Sequence, residues 1–291
     1  PGERPATLRS SLGDRAVLGD PFAHDPAALV LAGPPGTHAD LARRAIARGT
    51  HVVSTADSLD DVQALLALDA HACAQGVSVV VGAGFSPGLT CVLARHASTW
   101  VDEVDEIHIA RFGTGGPACA HQHHDALSSR STDWRDGEFV RRPGGSGREL
   151  CVFPDPVGSI DCYRAALPDA VLLHEAFPSV QRITARQAAN RRQRLTAWLP
   201  MLRRPHPEGR IGAVRVEIRG RRDGAAVDEV VGSIDRPAVA AGAVAGLAAR
   251  WVLNGRIGAG AVGLASLDEP VGFLDDLAEL GVRAAVFVGT N

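Results

Sequence analysis

Lysine is absent from this sequence, which has 291 residues and a single tyrosine, Tyr163. Without lysine, the chain cannot form a Schiff base through a side-chain amine, and it lacks the lysine that a P-loop requires. All fixed positive side-chain charge therefore comes from arginine. An anion site in this protein must use guanidinium groups, backbone amides or the N-termini of helices.

Several other features are also missing from the sequence. No apolar run reaches the roughly 18 residues that span a bilayer, and no signal-peptide pattern opens the chain. The five cysteines are scattered without a Cys-x-x-Cys pair, which is typical of reduced thiols. The net charge is only −3, without an acidic or basic block, which argues against nucleic acid as a partner. We predict a cytoplasmic protein that binds neither membranes nor nucleic acid.

Short apolar strands alternate with helix-patterned segments in the first third of the chain. Strands are predicted at Arg15–Gly19, Leu29–Ala32, His51–Ser54 and Val77–Val81, and helices at His38–Arg48 and Ser58–Gln75. Small residues follow the carboxyl ends of the last three strands, where open α/β sheets build their ligand crevices. No Gly-x-Gly-x-x-Gly turn precedes these strands. The pattern therefore predicts a Rossmann-type parallel sheet whose first unit is missing.

The periodicity changes after about residue 100. Glu103–Phe112 alternates like a long strand, whereas residues 113–148 show weak periodicity and are predicted to form a long loop. Ala213–Arg219 and Val227–Ile234 predict a β-hairpin that turns around Asp223-Gly224, and Pro237–Leu253 predicts a helix of small residues. These patterns are typical of a mixed α+β region.

Together the two regions predict an α/β fold, in which an incomplete Rossmann-type parallel sheet is followed by a mixed α+β domain. Residues 1–100 would form a partial dinucleotide-binding domain, and residues 101–291 a domain for substrate binding and dimerisation. The tail, residues 237–291, is a candidate to pack back on the first domain. The sheet of the second domain is the predicted face of a homodimer.

Three short segments of the first region resemble those of a known family. They are Gly33-Pro34 after one strand, Gly49-Thr50-His51-Val52-Val53-Ser54 along the next, and Gly84-Phe85-Ser86-Pro87-Gly88 after the third. The chain resembles the saccharopine dehydrogenase-like NAD(P)-binding oxidoreductases over residues 15–112 and 237–288. By this resemblance the chain is N-terminally truncated, because the first strand and its phosphate-binding glycines are absent.

The resemblance implies an enzyme in which hydride passes between a nicotinamide cofactor, NADP or NAD, and a small carbonyl, imine or amine substrate. It places cofactor contacts on residues at the strand ends, with binding expected to be weak or absent in this chain. These residues are Asp20, Ala32, Gly33, Pro34, Pro35, Thr55, Ala56, Gly84 and Phe85. The alternative is that they are ordinary strand-to-loop turns.

Histidines provide the predicted proton carrier. His121, His123 and His124 lie close together, and an imidazole titrates near neutrality, as a proton relay for hydride transfer requires. Solvated histidines in a polar segment are the alternative. Together with Cys119 they could ligate zinc, but no short helical pair such as His-Glu-x-x-His is present, and no metal site is predicted.

Substrate-binding residues are predicted at Arg111, Arg148 and Tyr163. The segment Gly144–Arg148 is a glycine-rich loop beside arginines, which could hold a carboxylate or could be a flexible surface hairpin. Two other functions remain open. One is a non-catalytic, truncated member of the family that acts as a binding module or dimer scaffold; the other is a metal-dependent hydrolase that uses the histidines.

Overall fold

The computed structural model describes residues 3–201 and 204–286. The helices are α1 Glu3–Leu12, α2 His38–Ile46, α3 Leu59–Leu66, α4 Asp69–Gln75, α5 Leu89–Ser98, α6 Pro117–Ser128, α7 Asp169–Ala176, α8 Arg191–Thr196, α9 Pro237–Leu253 and α10 Pro270–Glu279. The strands are β1 Ala28–Leu31, β2 His51–Ser54, β3 Ser78–Val81, β4 Glu103–Phe112, β5 Arg130–Arg135, β6 Glu138–Pro143, β7 Glu149–Val152, β8 Ser159–Arg164, β9 Arg182–Ala188, β10 Gly212–Arg222, β11 Ala225–Asp235, β12 Gly260–Gly263 and β13 Ala284–Val286. Among the described residues, no helix is long and apolar enough to cross a membrane.

The first sheet is parallel and has four strands in the order β1-β2-β3-β12. Val53 of β2 pairs with Val80 of β3, and both side chains are fully buried, as expected for strands covered by helices. At the β1 edge, Val30 is 45% exposed. Helices α2, α3, α4 and α9 pack on these strands. The predicted Rossmann-type parallel sheet is therefore confirmed, whereas the N-terminal truncation stays a prediction.

The second sheet has nine strands and mixed pairing. Its main path runs β13-β11-β10-β4-β9-β5-β6, and β8 adds to β9 and carries β7. Strand β4 pairs antiparallel with β10 and parallel with β9. The hairpin of β10 and β11 turns at Asp223 and Gly224, both at positive φ, which matches the predicted turn. The mixed α+β region is confirmed.

The two sheets share one contiguous hydrophobic core. Helix α5 packs against β10 and β11 and also against α10. The C-terminal tail supplies a strand to each sheet, because β12 pairs with β3 and β13 pairs with β11. The division of the chain near residue 100 stays a prediction.

Three predicted elements differ from the structure. Residues 16–19 form no strand, and Val17 and Leu18 are exposed without a partner strand among the described residues. The segment Ser58–Gln75 forms two helices instead of one, and the second begins at Asp69. The carboxylate of Asp69 accepts a hydrogen bond from the N–H of Ala261, at 2.8 Å. Residues 113–148 are not a loop but contain α6, β5 and β6.

The missed helix α6 has a physical explanation. Its buried face is Ala120, His123, Ala126 and Leu127, so a histidine takes a position that an apolar residue would normally occupy. The sequence around it is polar, which weakens the apolar period on which the prediction relied.

Candidate functional site

A cavity of about 430 Å³ lies at the carboxyl ends of β1, β2 and β3. The end of β4, the first turns of α6 and the start of α9 close its other side. The lining residues are Ala32, Gly33, Pro34, Pro35, His38, Thr55, Ala56, Asp57, Asp61, Gly84, Phe85, Ser86, Pro87, Arg111, Gly115, Gly116, Pro117, Ala118, Cys119, Gln122, His123, Pro237, Ala238 and Ala241. The position is the one at which open α/β sheets bind ligands.

The turn after β1 is held by a buried histidine. His38 Nε2 lies 3.0 Å from the carbonyl oxygen of Gly33, and its Nδ1 lies 2.8 Å from the hydroxyl of Ser54. A carbonyl can only accept, so the proton is on Nε2, and Nδ1 accepts from the Ser54 hydroxyl. His38 thereby ties the Gly33-Pro34 turn to the end of β2.

The turn after β3 depends on glycine. Gly84 N–H donates to the carbonyl of Pro87, and Leu89 N–H donates back to the carbonyl of Gly84, both at 2.9 Å. Gly88 has φ +123°, and a Cβ there would lie 2.2 Å from the carbonyl oxygen of Gly84. Only glycine fits this backbone crossing, the point at which the backbone of Gly88 passes close to that of Gly84. The turn places Phe85 in the cavity wall, at the N-terminus of α5.

This turn also has the form Gly-x-Ser-x-Gly between a strand and a helix, the pattern of a hydrolase nucleophile elbow. The Ser86 hydroxyl donates to the carboxylate of Asp169, at 3.1 and 3.3 Å, and Thr90 donates to the same carboxylate at 2.7 Å. Asp169 is fully buried, and burial raises its pKa. In the described part of the chain, no histidine is bonded to Ser86. The geometry therefore lacks the base that an activated serine needs.

Arg111 connects both halves of the cavity wall. It is 2% exposed, and its terminal nitrogens donate to the carbonyl of Ser86 at 3.0 Å and to Oε1 of Gln187 at 2.9 Å. Gln187 in turn donates to the carbonyl of His123 at 2.8 Å. The Nε of Arg111 is buried without a hydrogen-bond partner. Buried donors without a partner are uncommon in proteins, so Arg111 retains one unused hydrogen bond.

Three titratable side chains cluster opposite Arg111. The ligating atoms of Asp57, Cys119 and His123 all lie within 4.8 Å of one another, and Cys119 Sγ is 3.5 Å from His123 Nε2. Burial raises the pKa of Asp57, and the Arg111 charge opposes that shift. Burial also raises the pKa of the Cys119 thiol, and it lowers the pKa of His123 well below its usual range. Clustered groups with perturbed pKa values in a cavity are typical of a functional site.

Local sequence explains how this cluster forms. Pro117 occupies the first position of α6, and Cys119 and His123 are four residues apart, so both point from the same face of the helix. Asp57 follows the end of β2 at the facing edge of the parallel sheet. The Cys-x-x-x-His spacing was the signal that the sequence analysis missed. A second signal that was missed is the glycine pattern Gly113-x-Gly115-x-x-Ala118, which comes directly after β4 and marks the start of helix α6.

The structure brings together most of the residues that were predicted from sequence. The cavity lining includes Arg111, His123 and eight of the nine predicted cofactor contacts, which are Ala32, Gly33, Pro34, Pro35, Thr55, Ala56, Gly84 and Phe85. Polar lining residues that sequence analysis did not consider include His38, Asp61 and Gln122.

Five other predicted residues lie outside this lining. His121 is exposed, and His124 Nε2 lies 2.7 Å from the carbonyl of Leu199. Arg148 pairs with Asp161 at 2.9 Å on the surface, and Tyr163 is buried under the guanidinium of Arg194. Asp20 caps the short turn Pro21–His24.

The turn after β1 fits an uncharged portion of a dinucleotide better than a diphosphate. Pro34 and Pro35 have no N–H to donate. The N–H of Gly36 is already bonded to the carboxylate of Asp61, at 2.8 Å, which places a negative charge beside the remaining amides. The small, largely apolar walls at Ala32, Gly33 and Ala56 leave room for a flat ring. The residues present therefore fit the nicotinamide end of the cofactor.

Neither a family model nor a curated protein matches this sequence. Solved structures do match: apo saccharopine dehydrogenase (L-Glu forming) from Saccharomyces cerevisiae is 15% identical, with a TM-score of 0.68 over 97% of this chain and 91% of that one. DAP dehydrogenase from C. glutamicum, solved in complex with DAP, is 15% identical with a TM-score of 0.43 over 94% of each chain. The chain has a saccharopine dehydrogenase-like fold, as the sequence resemblance predicted.

Proposed function

We propose that this protein is an NAD(P)-dependent oxidoreductase that transfers hydride to or from a small carbonyl, imine or amine substrate carrying a carboxylate. The observation that supports this most is the single cavity wall that joins the strand ends of the parallel sheet to Arg111 and to the cluster of Asp57, Cys119 and His123. The fold shared with saccharopine dehydrogenase supports the same class of reaction.

The nicotinamide end of the cofactor would lie against Gly33, Pro34, Thr55 and Phe85. When bound, the nicotinamide gives or takes the hydride, and the protein supplies position and electrostatics. The backbone at Gly33 and Gly84 allows close approach, since neither has a side chain. Whether the cofactor is NADP or NAD depends on contacts with its adenosine half, so both forms enter the test.

Arg111 would hold the carboxylate of the substrate. Its unpaired Nε and its burial make a charge-assisted hydrogen bond to an anion favourable, because the surroundings screen the charge poorly. The N-terminus of α6 lies in the same wall and adds a partial positive charge. No lysine can take over this role, since the chain has none.

The cluster of Asp57, Cys119 and His123 would exchange the proton that accompanies hydride transfer. With its pKa lowered, His123 is neutral near pH 7 and can accept a proton, whereas the raised pKa of Asp57 brings its carboxyl closer to neutrality as a donor. Of the three predicted histidines, the proposal retains His123 alone, because His121 and His124 do not line the cavity.

The test begins with calorimetric titration of NADPH and NADH into the protein, followed by a spectrophotometric screen of 2-oxo acids with ammonia or amines. With a cofactor and a substrate that give turnover, His123→Gln is expected to lower kcat by about 10²–10⁴-fold. The matched change His121→Gln, on the exposed side of the same helix, should leave kcat unchanged. Arg111→Gln should raise KM for a carboxylate substrate but not for its neutral amide analogue.

The alternative function is a non-catalytic binding module or dimer scaffold. Binding is expected to be weak, so both cofactors are titrated to millimolar concentration. If neither binds and the screen finds no turnover, with the chain folded, the result would favour that alternative and contradict the oxidoreductase. The homodimer and the cytoplasmic location stay predictions, and sedimentation of the purified chain is the measurement that tests the dimer.

A further inference from the structure

We propose that Asp57, Cys119 and His123 form a binding site for a zinc ion in the wall of the cavity. The inference concerns metal binding by the chain without cofactor or substrate, and while zinc is bound these three side chains cannot also exchange the proton proposed above. It begins with the two donors on α6, which stand one helical turn apart and face the same way.

The distance between these two donors is the one that a tetrahedral zinc ion requires. Zinc binds thiolate sulfur at about 2.3 Å and imidazole nitrogen at about 2.0–2.1 Å, which at a tetrahedral angle separates the two donors by about 3.5 Å. Cys119 Sγ and His123 Nε2 are 3.5 Å apart. The carboxylate of Asp57 lies within 4.8 Å of both atoms, so a modest side-chain rotation brings it to the third position.

The donors are held in place by groups around them. The N–H of Gly115 donates to Cys119 Sγ at 3.4 Å, which favours the thiolate form of the ligand. Gln122 is hydrogen-bonded to the side chain of Asp57, and Gln187 holds the carbonyl of His123 at 2.8 Å. Supporting contacts of this kind orient ligands before an ion arrives.

The ligand set selects the metal. Thiolate and imidazole donors favour zinc over magnesium and calcium, which prefer oxygen ligands. All three side chains line the cavity, so a fourth tetrahedral position is open to a water or to an oxygen of the substrate. Three protein ligands with one open position are typical of catalytic rather than structural zinc.

The surrounding charges balance in the presence of the ion. Arg111 interacts with all three donors and opposes a cation, whereas Asp169 adds a negative charge to the same region. With Cys119 as thiolate, the negative groups are Asp57, Cys119 and Asp169, and a dication together with Arg111 neutralises them. Without the ion, burial disfavours the charged form of each of the three donors.

The test is a cobalt titration of the full chain after treatment with a chelator, in a buffer with a non-thiol reductant. Binding of one Co²⁺ should produce a sulfur-to-cobalt charge-transfer band together with the visible bands of a tetrahedral site, and Zn²⁺ should displace both. Cys119→Ser should abolish the charge-transfer band. Asp57→Asn and His123→Gln should weaken Co²⁺ binding at least about tenfold, the smallest loss seen even for supporting residues.

Two control variants locate the effect. Cys73→Ser removes an exposed thiol outside the cavity, and His124→Gln removes a neighbouring imidazole that does not line it; both should keep the cobalt spectrum. Far-UV circular dichroism and urea unfolding without metal confirm that each variant folds. If a variant does not fold, protection by Zn²⁺ of Cys119 from alkylation in the unaltered chain, read by peptide mass spectrometry, decides the question.

Absence of the charge-transfer band would overturn the zinc site, as would a band that survives Cys119→Ser or disappears in Cys73→Ser. Failure of Zn²⁺ to slow alkylation of Cys119 would contradict it as well. Loss of turnover in His123→Gln alone would not support it, since that change removes a proton carrier and a ligand alike. The cobalt spectrum separates these two roles.

Discussion

Replacement of Gly88 by alanine should strongly destabilise the protein. At φ +123° a non-glycine residue costs about 1–3 kcal/mol, and the new Cβ would lie 2.2 Å from the carbonyl oxygen of Gly84 and 2.7 Å from that of Gly82. Relief of such overlap typically costs another 1–3 kcal/mol or so, because backbone must move. We expect a total loss of about 2–6 kcal/mol in the free energy of unfolding, measured by urea titration.

Gly242→Ala provides a control with the opposite sign. Gly242 lies inside α9, is exposed, and has no atom within 4 Å of the position that a Cβ would occupy. Alanine should therefore stabilise the protein by about 0.5–1 kcal/mol, the usual difference between the two residues in a helix. A loss below about 1 kcal/mol for Gly88→Ala would refute the backbone crossing described for this turn, provided that Gly242→Ala behaves as expected.

Three further predictions concern stability. Ser58→Ala removes the hydroxyl that caps α3 and accepts from the N–H of Asp61, and it should cost about 1 kcal/mol in urea unfolding. Leu172→Ala opens a cavity at a side chain that is 1% exposed and should cost about 2–5 kcal/mol, read from the urea midpoint. Burial raises the pKa of Asp169 above 3.8, so the folded chain binds this proton more tightly than the unfolded chain. That contribution is fully present below pH 3.8 and is lost as the pH rises through the folded pKa. The stability of the unaltered chain relative to Asp169→Asn should fall accordingly as the pH rises above 3.8, and a constant difference would contradict the shift.

Local signals were sufficient for much of the fold. The runs at Leu29–Ala32 and Val77–Val81 predicted buried parallel strands because apolar residues on both faces require helices on both faces. The turn at Asp223-Gly224 and the small-residue helix Pro237–Leu253 were recognised for equally local reasons. The residues on three strand ends were predicted to lie together because parallel strands end at one edge.

Other elements could not be predicted from the local sequence. Helix α6 buries His123 where the pattern expects an apolar side chain, so its period was hidden. The apolar run at Val17 and Leu18 resembles a strand, but it remains exposed because no neighbouring strand pairs with it among the described residues. Strand formation depends on a partner, which the sequence of one segment does not specify.

Some features of the candidate site likewise follow from the local sequence, and others depend on the tertiary structure. The glycine and proline turns that line the cavity were determined by the sequence itself, because their backbone conformations admit few other residues. Only the tertiary structure decided which histidine faces the cavity. It also decided that the ligating atoms of Asp57, Cys119 and His123 lie within 4.8 Å of one another. Asp57 is more than 60 positions from Cys119 and His123 in the sequence, and only the tertiary structure brings the segment after β2 and the first turns of α6 to the same cavity.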